Sequence, residues 1–213
     1  MRRPLADELF LVGHDAHTGK PAGHAGVLAS ALAGALLGEL LLDGRLTLID
    51  DRVAVQAHRP YGEKVSDAVL AEITRQGDGR PVPHWVRYLR GDVREVVARR
   101  LLAAGLVRRE QPRGLAWRGP VRFPAHDPIA YAEPRRRLAA ALARQQRVDA
   151  QLATLAALAG ATGLDEVVAP ELGRAELRER LIRVTESLPA VLRALVSGVE
   201  AAITALALTT PDP

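Results

Sequence analysis

Residues Ala31–Val55 read ALAGALLGELLLDGRLTLIDDRVAV, an apolar run that reaches a glycine and is followed by two short β-prone runs. Leucine and alanine fill every turn up to Leu42, which predicts a helix buried on all sides. Gly44 can take the left-handed conformation that closes a helix. Leu46, Leu48 and Ile49 then lead into Asp50-Asp51-Arg52, and Val53-Ala54-Val55 returns as the second arm of a hairpin. The same order recurs in Asp92–Trp117, DVREVVARRLLAAGLVRREQPRGLAW. There the helix ends at Gly105, and Leu106-Val107 leads through Gln111-Pro112-Arg113-Gly114 to Leu115-Ala116-Trp117.

Outward from these two units the chain reads mainly as helix. Leu5–Val12 opens it, and a Gly/His-rich loop over His14–Gly26 follows. Ser66–Arg75 is amphipathic, with Val69, Leu70 and Ile73 on one face, and Val82–Leu89 holds Trp85 and Tyr88. Asp92 and Glu95 form a D-x-x-E capping box at the start of the next helix. Gly119–Pro134 is punctuated by proline and reads as an irregular crossing loop. Arg135–Ala159, Arg174–Thr185 and Ala190–Leu208 are the closing helices, and Thr209–Pro213 reads as disordered. The expected architecture is mainly α: a single helical domain over residues 1–213, with a central apolar helix and two short β-hairpins.

Apolar residues make up 48% of the 213 residues but aromatics only 3%, so leucine, alanine and valine must build the core. That favours packed helices over a β-sandwich. The absence of cysteine removes disulfides and thiolate-ligated metal. Met1–Glu8 meets acids before any apolar stretch forms, unlike a signal peptide. The run Val27–Leu42 carries Ser30 and Glu39 and falls short of the ~20 residues of a spanning helix, so a soluble protein is expected.

Of 29 basic residues, 27 are arginine. Between Arg87 and Arg147 there are 15 arginines against 5 acids. Such an excess attracts polyanions, either nucleic acid or an anionic membrane; it is equally compatible with solvated helix faces.

No residue pattern points to catalysis. His14-Asp15-x-His17 offers two imidazoles without a clear third ligand. Glu39, inside an apolar helix, must meet a partner and reads as a structural carboxylate paired with Arg45. The serines lie in no nucleophile elbow, and neither a phosphate-cradling glycine loop nor H-E-x-x-H occurs. No enzyme, metal or cofactor is expected.

Three blocks in order, Leu5–Val12, Leu32–Leu46 and Val93-Arg94-Glu95 with Leu101 and Ala104-Gly105-Leu106-Val107, resemble the Golgi phosphoprotein 3 family from Leu5 to about Leu208. The resemblance implies a mostly helical, non-catalytic peripheral membrane protein, here expected in the cytoplasm. Eukaryotic members bind phosphatidylinositol 4-phosphate, help retain glycosyltransferases through their cytosolic tails, and self-associate through a hairpin. The family's headgroup pocket joins an aromatic and an arginine near the central helix to an R-x-x-R pair. By ungapped alignment the aromatic falls on His24 and the central arginine on Ala33. The pair falls on Gly91 and Arg94, with Arg90 beside the glycine. The implied headgroup residues are therefore Arg94, Arg90 and His24.

Leu115 and Trp117, flanked by Arg113 and Arg118, form a candidate membrane or self-association hairpin, since tryptophan suits headgroup depth. Expected partners are an anionic phospholipid surface, membrane-protein tails and a second copy of the chain. The alternative is a nucleic-acid-binding regulator, with winged-helix-like units placing Arg99, Arg100, Arg108 and Arg109 on phosphates. The lack of a polar recognition helix weighs against it.

Overall fold

In a computed structural model that describes residues 3–57, 62–111, 120–144, 148–164 and 168–209, the central apolar run becomes α2 (Ala25–Leu42). It is packed against α1 (Leu5–Gly13), α3 (Lys64–Gln76), α4 (Val82–Leu89), α5 (Val93–Ala103), α7 (Ala150–Ala161) and α9 (Ala190–Thr209). The remaining described helices are α6 (Pro128–Arg144) and α8 (Arg174–Glu186). The protein is thus mainly α, with only a small sheet.

Glycine sets the closest helix contact. A Cβ on Gly34 would lie 2.3 Å from Val199 Cγ2, so α9 crosses α2 where only hydrogen fits. Contacts at Gly26 with Leu206 and at Gly38 with Leu195 make the two helices antiparallel. Contacts at Gly13 with Leu28 and at Gly38 with Leu5 do the same for α1 and α2.

Both expected helix stops form. Arg45 N bonds Leu40 O at 2.8 Å around Gly44 (φ +65°), and Leu106 N bonds Leu101 O at 3.0 Å around Gly105 (φ +68°). After Gly44, β1 (Leu46–Ile49) and β2 (Arg52–Val55) pair antiparallel from Leu46↔Val55 to Ile49↔Arg52. Asp50 and Asp51, at φ +49° and +60°, supply the two-residue turn whose twist matches the strands. A short β3 (Arg80–Pro81) adds to β2. In the second unit, Val107 bridges Ala125 and Glu110 bridges Arg122, so the arm after Gly105 pairs with 122–125.

Three expectations are corrected. The stretch read as an irregular loop up to Pro134 is helical from Pro128, and Pro134 sits buried inside α6. A proline cannot donate to the carbonyl four residues back, and that oxygen, Ala130 O, accepts instead from Arg3 Nη1 at 2.9 Å. The single helix expected over Arg135–Ala159 is two, α6 and α7. Asp149 caps the second by accepting from Leu152 N at 2.9 Å. The capping box is absent: Asp92 precedes α5 but its side chain makes no cap bond.

Candidate functional site

Arg94 lies in the first turn of α5 and is half-buried against the loop that joins α1 to α2. Its Nε donates to His14 Nε2 at 3.2 Å and its Nη2 to Gly19 O at 3.4 Å. The guanidinium carbon stands 5.2 Å from the centre of the Phe123 ring, a cation–π contact. His14 is buried, stacks on Phe10 at 3.9 Å, and its Nδ1 donates to Phe10 O at 2.9 Å. That bond fixes the tautomer and leaves Nε2 as the acceptor for Arg94. Burial pushes the His14 pKa down to about 4; the Phe10 carbonyl opposes this and Arg94 adds to it. The imidazole is therefore a neutral structural acceptor. Among the described residues no group of three or more His, Cys, Asp or Glu side chains stands together as a metal site would need.

Gly19 makes this arrangement possible. At φ +63° a Cβ there would sit 2.4–2.5 Å from backbone atoms of Phe123 and Pro124. Ala125 N also bonds Ala16 O at 2.8 Å, so the loop is stitched to the segment entering α6.

His24 is the N-cap of α2, its Nδ1 accepting from Gly26 N at 3.2 Å and Val27 N at 3.4 Å. Only Nε2 remains to meet a ligand. Arg90 is the C-cap of α4, two residues before the Asp92 that opens α5, and its side chain has no carboxylate partner among the described residues. Arg94 thus reaches the loop that His24 closes at the start of α2, and Arg90 stands four residues before Arg94 in the chain. Ala33 is fully buried inside α2, and Gly91 is exposed. Arg113, Leu115, Trp117 and Arg118 lie outside the described residues.

The family model for Golgi phosphoprotein 3 (GPP34) matches residues 5–205, nearly the whole chain. The chain belongs to that family. No curated protein matches it. Membership is consistent with a non-catalytic, lipid-binding adaptor.

A second polar centre, which the sequence did not mark as a unit, lies six residues further along α5. Arg100 donates from Nε to Asp7 Oδ1 at 2.7 Å, from Nη2 to Glu39 Oε1 at 2.8 Å and from Nη1 to Glu63 Oε2 at 2.9 Å. Ser66 Oγ donates to Glu39 Oε2 at 2.7 Å, and Ala6 N to Glu39 Oε1 at 2.8 Å. Glu39 is therefore taken up by Arg100, not by Arg45. Burial works against the charge on Arg100, but Glu39, Asp7 and Glu63 outweigh it and raise its pKa. Asp7 is pushed up to about 7 by burial, against the pull of Arg100. An isolated Glu in an apolar helix was the only sequence signal for this cluster. The cleft beside it, about 860 Å³, is lined by Arg3, Glu39, Asp43 and Glu63 among others.

Proposed function

We propose that the protein is a non-catalytic peripheral membrane protein that binds an anionic phospholipid headgroup, of the phosphatidylinositol 4-phosphate kind, through Arg94 with Arg90 and His24. One observation carries this: Arg94 is half-buried yet forms no ion pair among the described residues, the neighbouring Glu95 pairing with Arg109 at 3.7 Å, whereas Arg100 on the same helix pairs with three carboxylates. Burial lowers the pKa of Arg94, with Glu95 only partly opposing, as for a cation short of a counter-ion. Its bonds to His14 and Gly19 are to neutral acceptors. The first turn of α5, lacking a side-chain cap, adds the partial positive charge of a helix N-terminus. A phosphomonoester supplies the missing charge and accepts several charge-assisted hydrogen bonds at once. His24 Nε2 and the Arg90 guanidinium are the further donors.

The family's membrane association in general supports a cytoplasmic protein held peripherally at a bilayer. An adaptor role toward membrane-protein tails, and self-association through the 113–118 hairpin, belong to the same proposal. Nucleic acid is the weaker reading. Of its four arginines, Arg100 is enclosed by carboxylates, and Arg108 and Arg109 already pair with Glu110 and Glu95.

The test is flotation with neutral, phosphatidylserine, phosphatidylinositol, phosphatidylinositol 4-phosphate and cardiolipin vesicles. Selective binding to one phosphorylated headgroup, lost in Arg94→Ala, is the expected result. Binding that ignores Arg94→Ala, or no binding to any vesicle, would sink it.

A further inference from the structure

Among the described residues the most exposed large aliphatic side chains are Leu208, Ile129 and Ile49, at 84%, 82% and 60% exposure. Contacts place two of them at the end of the molecule where α2 begins. Leu208 follows Leu206, whose Cδ2 lies 3.1 Å from where a Cβ on Gly26 would be. Ile129 precedes Tyr131, whose hydroxyl donates to His14 O at 3.3 Å, at the C-terminus of α1. Arg94 reaches Gly19 in the same loop, and His24 closes it. Ile49 lies at the other end, on the hairpin that follows the C-terminus of α2.

The helix that carries Leu208 is unusual in its own right. α9 is nearly as apolar as α2, yet 28% of it is buried against 67% of α2. Its last turns, with Ala205, Ala207 and Leu208 exposed, leave apolar surface in water beside the cations. Lys20, Arg90 and Arg94 have no carboxylate partner among the described residues. Of the acids at this end, Asp15 is turned onto Thr18, accepting from its N and Oγ1 at 2.7 Å each. Asp127 accepts from the N–H groups of Ile129 and Ala130 at 3.0 and 3.1 Å. Asp92 is exposed beside Arg90, and Glu95, next to Arg94, pairs with Arg109 at 3.7 Å.

We infer that this end of the molecule docks on an anionic bilayer with Ile129 and Leu208 as paired apolar anchors, the β1–β2 hairpin pointing away from the lipid. The inference rests on the headgroup reading above and adds an orientation to it. Single aliphatic side chains on two separate helices, toward the same end as arginine and lysine, match a bilayer boundary. There acyl chains begin just below the phosphates, so anchors and cations are satisfied at neighbouring depths. A flat protein partner would instead call for a contiguous apolar patch.

The chain has no cysteine, so Ile129→Cys, Leu208→Cys and Ile49→Cys each take one environment-sensitive fluorophore with no background labelling. The three labelled proteins are mixed with phosphatidylcholine vesicles containing phosphatidylserine and phosphatidylinositol 4-phosphate, with and without lipids brominated near the top of the acyl chain. The expected result is a blue shift and bromine quenching at 129 and 208 and neither at 49. Ile129→Asp and Leu208→Asp, both at exposed positions, are expected to lower partitioning about tenfold each. Vesicle-bound protein whose labels at 129 and 208 stay aqueous, or respond no more than the label at 49, overturns the orientation and leaves the headgroup site standing. Protein that floats with no vesicle overturns both.

Discussion

Asp7, Glu39 and Glu63 share one guanidinium, that of Arg100, and a single cation cannot neutralise three carboxylates, two of which are buried away from water. The group left short is Asp7, with its pKa pushed up to about 7 by burial, from an ordinary value of 3.8. Folded protein therefore holds a proton that the unfolded chain has released between these values. The contribution of Asp7 to stability is complete below the unfolded pKa and is lost as pH rises through about 7. Asp7→Asn keeps an oxygen for Arg100 Nε and removes the titration. Relative to wild type, the variant should gain roughly 2 kcal/mol of unfolding free energy between about pH 5 and about pH 8. Urea melts of both proteins at the two pH values measure this; a difference that is flat with pH would show that Asp7 is ionised throughout. At this scale Glu39 alone was conspicuous in the sequence. Its partner Arg100 lies 61 positions away and looked like one more member of a basic run. Nothing local separates it from Arg99, which is exposed.

Helices and their stops were legible because they depend on neighbours within a few residues. Gly44 and Gly105 close their helices as left-handed glycines do, and the Asp50-Asp51 turn follows the first. Reading failed at Pro134, where a residue that ordinarily ends a helix is tolerated because Arg3 replaces the lost donor to Ala130 O. It failed again at Asp92, whose sequence fits a capping box but whose side chain does not form one. The α2–α9 crossing yields a prediction of its own. Gly34→Ala places a methyl 2.3 Å from Val199 Cγ2, and should cost about 1–3 kcal/mol by overpacking. Val199→Ala removes the clashing methyls and opens a cavity, so the double variant should lose less than the sum of the two single losses. Thermal or urea denaturation of the four proteins reads the coupling; strict additivity would mean that the helices separate freely at this point.

Across the whole molecule, the arginine-rich stretch 87–147 is less available than its formal charge implies. Arg100 and Arg137 are spent on buried or half-buried acids, Arg108 on Glu110 and Arg109 on Glu95. Arg87 and Arg90, on α4 and at its C-cap, have no carboxylate partner among the described residues. Arg87→Ala and Arg90→Ala should therefore each weaken partitioning onto anionic vesicles about fivefold, near 1 kcal/mol per cation. Arg108→Ala should change it little, because its charge is already paired. Equal losses for all three in a flotation titration would show that total charge, not free charge, drives binding. The sequence alone determined the helical class, the central apolar helix and the two glycine stops, because periodicity and left-handed backbone are local properties. It also carried enough order and spacing to mark the family. Only the tertiary structure decided which arginines are paired, which acid burial keeps protonated to a higher pH, and which apolar side chains stay exposed. Those outcomes turn on desolvation and on contacts between residues far apart in the chain, and local patterning does not encode them.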